Sequence, residues 1–221
     1  MTWDSTWEKV FKEKEWGKYP AESVIRFVAR NFYSVPKRSE IKILDAGCGA
    51  GANLWFMARE GFKVYGVDGS KTAIERANNR LKKELGDQFE KLVGGGVFVG
   101  DMQQLPFEND FFDAVIDARA ISCNDYESSK KIYRELARVC KSKGKLYTTM
   151  YASGTWGLNE SGISTEGFLA STGFHRLTKY EEIEDLITDW NILTIDKFMQ
   201  TLDGIKNDHW IKEWIITASK K

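Results

Sequence analysis

The sequence predicts an α/β fold: a doubly wound, mostly parallel seven-stranded sheet with an antiparallel terminal strand, preceded by N-terminal helices. Three observations carry this expectation. Short apolar runs at residues 41–45, 64–68, 97–101, 113–117 and 145–150 have the length of buried strands. Helix-sized stretches separate most of them, and that alternation requires right-handed crossovers and a parallel sheet covered on both faces. Two later runs, 190–198 and 210–217, are joined by too few residues for a crossover helix, which predicts an antiparallel pair closing the sheet.

The elements follow in order. Trp3, Trp7, Val10 and Phe11 recur at helical spacing with Glu8, Lys9 and Lys12 between them, giving an amphipathic first helix. A second helix is expected to start at Pro20 and to run through Val24, Ile25, Val28 and Phe32. Helices at about 53–60 and 70–85 follow the first two strands. A further helix, with Ile132, Leu136 and Val139 on one face, follows the fourth. Lys143-Gly144 reads as the turn into the fifth strand. Residues 151–175 hold five glycines (154, 157, 162, 167 and 173) among aromatics and hydroxyl residues and read as a mobile excursion. A helix near 179–187 precedes the final pair. The chain thus divides as one domain, 1–221: a helical cover (1–38), a core (40–150), a lid (151–177) and a terminal helix with strand pair (178–221).

Composition narrows the function. Lys+Arg and Asp+Glu both total 32, so the molecule as a whole does not attract nucleic acid or an anionic membrane. Cys48, Cys123 and Cys140 are widely spaced, no Cys-x-x-Cys occurs, and His175 and His209 are the only histidines. No metal centre is predicted, and the thiols read as reduced. No signal peptide and no apolar run of about 20 residues is visible, which predicts a soluble, cytoplasmic protein.

The chemistry concentrates at strand ends. Asp45-Ala46-Gly47-Cys48-Gly49-Ala50-Gly51 lies between a strand and a helix, where glycines let backbone approach a ligand and the helix N-terminus favours anionic or polar atoms. Gly47, Gly49 and Ala52 equally satisfy a dinucleotide-binding pattern. Asp68 ends the second strand, placed to accept from both ribose hydroxyls of an adenosine cofactor, while Ser70 suits the helix cap. Asp101 can accept from an adenine amino group, and Met102 offers a soft apolar face to the ring.

Taken together, the Asp45-to-Gly51 motif, Asp68, Asp101-Met102 and the strand ending at Asp117 resemble the successive motifs of the class I S-adenosylmethionine-dependent methyltransferases. Lys141-Ser142-Lys143-Gly144 resembles the family's turn before its fifth strand, without the usual Pro-Gly. The resemblance covers about residues 40–150 and implies a Rossmann-like fold binding S-adenosyl-L-methionine, with S-adenosyl-L-homocysteine as product. It implies that Asp68, with Gly69 and Ser70, holds the ribose. Asp101 and Met102 hold adenine, and Asp45, Gly47, Cys48, Gly49 and Gly51 underlie the methionine moiety. Asp117 and Ala118 line the reactive end. Trp16 and Tyr19 cover the methionine carboxylate, with Lys18 supplying charge. A nicotinamide-dependent oxidoreductase is the alternative, although no Tyr-x-x-x-Lys pair follows the fourth strand; a catalytically idle binding module is another.

Ligands in such sheets sit beyond the carboxyl ends of the strands. That places Arg119, Asn124, Asp125, Tyr126, Tyr151 and Trp156 near the acceptor, with His175, Arg119 and Tyr151 as candidate catalytic residues. His175 reads either as a base carried inward by the excursion or as a surface residue at a helix entry. The family's base-methylating Asn-Pro-Pro-Tyr motif is absent; Asp117-Ala118-Arg119-Ala120 stands in its place. With zero net charge this predicts a small-molecule acceptor rather than nucleic acid.

Overall fold

The computed structural model describes residues 4–15, 17–159, 161–164, 169–170, 172–201 and 209–221. Its strands are β1 (Lys42–Ala46), β2 (Lys63–Asp68), β3 (Val97–Val99), β4 (Phe112–Ala118), β5 (Cys140–Tyr151), β6 (Trp190–Thr201) and β7 (Trp210–Lys220). Helices α1 (Thr6–Glu13) and α2 (Glu22–Phe32) precede the sheet. Its crossovers and covers are α3 (Ala52–Arg59), α4 (Lys71–Leu85), α5 (Phe89–Leu92), α6 (Tyr126–Val139) and α7 (Ile183–Leu186). The sheet order is β3-β2-β1-β4-β5-β7-β6. β1 to β5 pair in parallel, and β7 is antiparallel to both β5 and β6. The single antiparallel strand is therefore β7, inserted between β5 and β6.

Both faces of the sheet are covered over β1, β2 and β4, which explains why these strands read as continuous apolar runs, whereas the edge strand β6 is largely exposed. Ile43, Val64, Ala114 and Ile116 point to the face carrying α2, α3 and α4, where Val24, Phe27, Leu54, Met57 and Ile74 meet them. Leu44, Val67, Val115 and Leu146 point to the other face, against Ile132, Tyr133, Leu136, Ile183 and Leu186 of α6 and α7.

Several boundaries differ from expectation for local reasons. α2 starts at Glu22, because Ala21 is extended (ψ 145°) and serves as its cap. The Lys143-Gly144 turn lies inside β5 as a bulge: Phe112 pairs with Cys140 but Ala114 with Lys145, and Lys143 takes a left-handed φ of 63°. The helix expected near 179–187 is a 3-10 turn, Tyr180–Glu182, followed by the single turn of α7. α5 was not expected. Where described, the 151–177 excursion is stitched down. Ala152 bridges to Thr178, Leu158 to Ser164 and Ile163 to Phe174, and Tyr151, Leu158, Leu169 and Ile211 share a small apolar cluster. Trp3, Trp16 and Gly167 lie outside the described residues.

Candidate active site

A cavity of about 250 Å³ opens at the carboxyl ends of β1, β2, β3, β4 and β5. Gly47 (φ 71°) and Gly49 (φ 51°) turn the chain through left-handed conformations that a side chain disfavours. The Gly47 and Cys48 N–H groups both donate to Val67 O, at 2.8 and 3.0 Å, which ties this loop to β2. Beside it Asp68 accepts from Gly49 N through Oδ2 (2.9 Å) and from Ser70 N through Oδ1 (2.8 Å). Burial raises the Asp68 pKa, and those two N–H groups hold the rise back. Gly69, Gly100, Asp101 and Met102 complete this wall, with Asp101 Oδ1 accepting from Gln103 N at 2.9 Å. Tyr19 also lines the cavity, largely exposed, its ring edge-on to Trp55 at 5.6 Å. Lys18 instead pairs with Glu15 in solvent (3.7 Å), and Trp16 lies outside the described residues.

Four residues expected at the ligand do not line the cavity. Gly51 is needed for packing, since a Cβ there would sit 3.0 Å from that of Ala77. Ser70 is buried; its Oγ accepts from Ala73 N (3.1 Å) and caps α4. Asp117 is fully buried and builds the following turn. Its Oδ1 accepts from Ala120 N (2.8 Å) and Ile121 N (3.0 Å), and its Oδ2 accepts from Thr148 Oγ1 (2.6 Å). Burial pushes its pKa to about 6 despite those bonds. Asp45 lies beneath the glycine loop: Oδ1 accepts from Asn53 Nδ2 (3.2 Å), while buried Oδ2 has no partner among the described residues. Burial, aided by nearby Asp117 and Asp68, raises its pKa to about 7.

At the other end the cavity meets Arg119, Cys123, Asn124, Tyr151, Leu169 and His175. Arg119 (φ 71°) is bound by the buried Glu213 of β7, with Nη2 donating to Oε2 at 3.0 Å. His175 is buried rather than on the surface, and no helix begins at residues 175–177. Burial lowers its pKa to about 4 against the opposing pull of Asp4, so the ring is neutral near pH 7. Asp125 caps α6 by accepting from Ser128 N (2.8 Å), and Tyr126 donates to Asp185 (2.7 Å). Trp156 stacks on His209 at 3.9 Å. None of these last three residues lines the cavity.

Sequence reading missed the roof. Trp7 and Phe11 of α1 line the cavity, and the Trp7 ring stands edge-on to His175 at 6.1 Å. Glu8, on the same helix, accepts from Ser70 Oγ and Thr72 Oγ1, both at 2.6 Å, at the start of α4. On the other side Asp4 Oδ2 accepts from Phe174 N at 3.3 Å. α1 is thus latched at both rims of the cavity. The Ser70 and Thr72 hydroxyls lower the Glu8 pKa to about 2. A depressed carboxylate pKa stabilises the fold above the unfolded value of about 4.5, and that stability is lost as pH falls through about 2. Glu8→Gln is expected to cost about 1–2 kcal/mol, lowering Tm by roughly 2–8 °C. It should also speed hydrogen exchange in α1, while an unchanged α1 would refute the latch.

Among the described residues no cluster of His, Cys, Asp or Glu is arranged to hold a metal, and no helix is long and apolar enough to cross a membrane.

Comparison with known proteins agrees with this geometry. A family model described as a methyltransferase domain matches residues 43–144. The ubiquinone biosynthesis O-methyltransferase of Bartonella quintana is 24% identical over 199 residues, covering 87% of this chain and 76% of its own. The 18S rRNA (guanine-N(7))-methyltransferase of Bos taurus is 31% identical over 106 residues, 45% of this chain and only 34% of its own. The solved structure of a SAM-dependent methyltransferase from Methanosarcina mazei shares the fold, with a TM-score of 0.63 and 22% identity over 81% of this chain and 92% of that one. By its sheet order and glycine loop the chain shares the fold of these proteins, and its residues 43–144 resemble a methyltransferase domain.

Proposed function

We propose that the donor lies along this cavity with its ribose at Asp68, its adenine between Asp101 and Met102, and its methionine moiety over Gly47–Gly49, and that the acceptor is a small molecule. The observation that carries the reading is the convergence of Asp68, Asp101 and two left-handed glycines on one roofed cavity. Asp45 acts from beneath the loop through Asn53, which donates to its Oδ1 and itself lines the cavity. When bound, the donor supplies an already activated methyl group. The chain's part is then to align the acceptor and exclude water. Trp7 and Phe11 serve the second purpose, and the 151–177 segment, which brings Leu169 and His175 to the cavity, closes the acceptor end as a lid. The rings hold a sulfonium but do not drive its transfer, since its charge is lost in the reaction.

Small-molecule acceptance is supported by coverage. The relative named for ubiquinone biosynthesis aligns over most of this chain, whereas the rRNA-modifying relative aligns over less than half. Incubating the enzyme and labelled donor with fractionated cell extract tests the reading. Label in a low-molecular-weight product is expected; label confined to RNA or protein would refute it. Hydrogen exchange tests the lid: residues 151–159 and 172–177 should gain protection when donor product and acceptor are bound, and equal protection in both states would refute it.

Asp45 gives a pH-dependent prediction. A raised carboxyl pKa stabilises the ligand-free fold at low pH, and that contribution is lost as pH rises through about 7. His175 has the opposite sign, its contribution being present above about 6.5 and lost as pH falls toward about 4. Asp45→Asn is therefore expected to stabilise the ligand-free protein above pH 7 by about 2–4 kcal/mol, yet to weaken donor binding. Chemical denaturation at several pH values checks the first effect and calorimetry the second. Tighter donor binding by the variant would contradict the assignment.

A further inference from the structure

The acceptor end contains a hydrogen-bonded chain that fixes which nitrogen of His175 carries its proton. Thr172 Oγ1 donates to Leu169 O, which commits its only hydrogen. His175 Nε2, 2.8 Å from that hydroxyl oxygen, must then be the donor, so Nε2 carries the proton. Nδ1 keeps its lone pair. It lies 3.6 Å from Cys123 Sγ, on the helical turn after β4, and both residues line the cavity. The groups around the ring are a neutral thiol (Cys123), a phenol (Tyr151) and one carboxylate (Asp4). Burial raises the pKa of the Cys123 thiol, and nearby Asp117 adds to the rise, so the pair does not become a thiolate with an imidazolium. Tyr151, 3% exposed, has no hydrogen-bond partner for its hydroxyl among the described residues, and its ring stands edge-on to His175 at 5.4 Å. Arg119 is occupied by Glu213, so among the described residues this end of the cavity offers no free cation to an acidic acceptor.

We infer that His175 Nδ1 accepts the proton of a neutral, hydroxyl-bearing acceptor whose oxygen is oriented by the Tyr151 hydroxyl, with Thr172 as the positioning residue that fixes the imidazole tautomer. This rests on methyl transfer taking place in the cavity. The acceptor oxygen bonds to the methyl carbon as the carbon–sulfur bond breaks and leaves its electron pair on sulfur, while the O–H proton passes to Nδ1. The positive charge moves from sulfonium to imidazolium, toward the Asp4 carboxylate, so the cavity gains no net charge. A weak base suffices, because an oxygen that is acquiring a methyl group becomes strongly acidic.

Nuclear magnetic resonance reads the tautomer directly, since His209→Gln leaves His175 as the only histidine. A neutral imidazole protonated at Nε2 is expected; protonation at Nδ1 overturns the inference. Kinetics with two probes, catechol and thiophenol, distinguish a base from a packing residue, because thiophenol ionises unaided near neutral pH. His175→Gln should lower kcat for catechol about a hundredfold, with KM and S-adenosylhomocysteine binding little changed and thiophenol turnover largely kept. Thr172→Val, which preserves shape, should lower catechol kcat about tenfold through the lost tautomer, and Thr172→Ser should restore it. Equal losses with both probes in His175→Gln, or turnover of thiophenol without catechol by the wild-type protein, would overturn the inference. Failure of the wild-type protein to bind S-adenosylhomocysteine would instead count against the placement of the donor.

Discussion

Gly47→Ala is expected to abolish measurable donor binding and to lower Tm by roughly 5–10 °C. A Cβ at this position would collide with the Cβ of Ala120, in the turn that buried Asp117 holds from below. Neither side can retreat cheaply, since Gly47 N is bonded to β2 and Ala120 N to Asp117. The left-handed φ of 71° adds its own cost, for a total of about 2–4 kcal/mol. Gly49→Ala is the informative control. Its Cβ would meet the rim of the Phe11 ring at 3.1 Å, so α1 can shift while the sheet stays intact. Thermal melting and calorimetry on both variants check the contrast; a Gly47→Ala protein that binds donor normally would place the ligand elsewhere.

Asp68→Ala should separate binding from folding. Burial raises this carboxyl's pKa, so its contribution to the ligand-free fold is present at low pH and is lost as pH rises through the raised value. Its two backbone bonds nonetheless hold the Gly49 and Ser70 loops in register around the cavity. Losing charge-assisted bonds to the ribose costs about 1.5–3 kcal/mol, roughly ten- to a hundredfold in affinity. Disorder in the loops would add to this. Asp68→Asn should lose less, because one oxygen can still accept. Normal affinity in Asp68→Ala would remove the ribose assignment.

Much of this was legible in the sequence. Strands buried on both faces announce themselves as apolar runs, and the glycine loop, Asp68 and the Ser70 cap follow from local spacing alone. What escaped depends on contacts far apart in the chain. Glu8 meets Ser70 and Thr72 across more than sixty residues, so the first helix reads as a packing element until it is seen latched over the cavity. Asp117 reads as a ligand contact because it ends a strand; only the structure shows both of its oxygens spent on the turn and on Thr148. His175 stood before an apparent helix entry that suggested a surface position, yet Thr172 and Leu169 hold it inside. Trp156 and Tyr151 looked alike beside the same strand end. Trp156 turns to His209 and Tyr151 to the cavity, a difference set by pairing with β7 that local sequence does not encode.

The central claim, that the roofed cavity is a donor site built around Asp68, is most directly tested by titrating the protein and its Asp68→Ala variant calorimetrically with S-adenosylhomocysteine and with NADH. One S-adenosylhomocysteine per chain, weakened ten- to a hundredfold in the variant, with no NADH binding, is the predicted result. Binding of NADH alone, or of S-adenosylhomocysteine with equal affinity in both proteins, would contradict it.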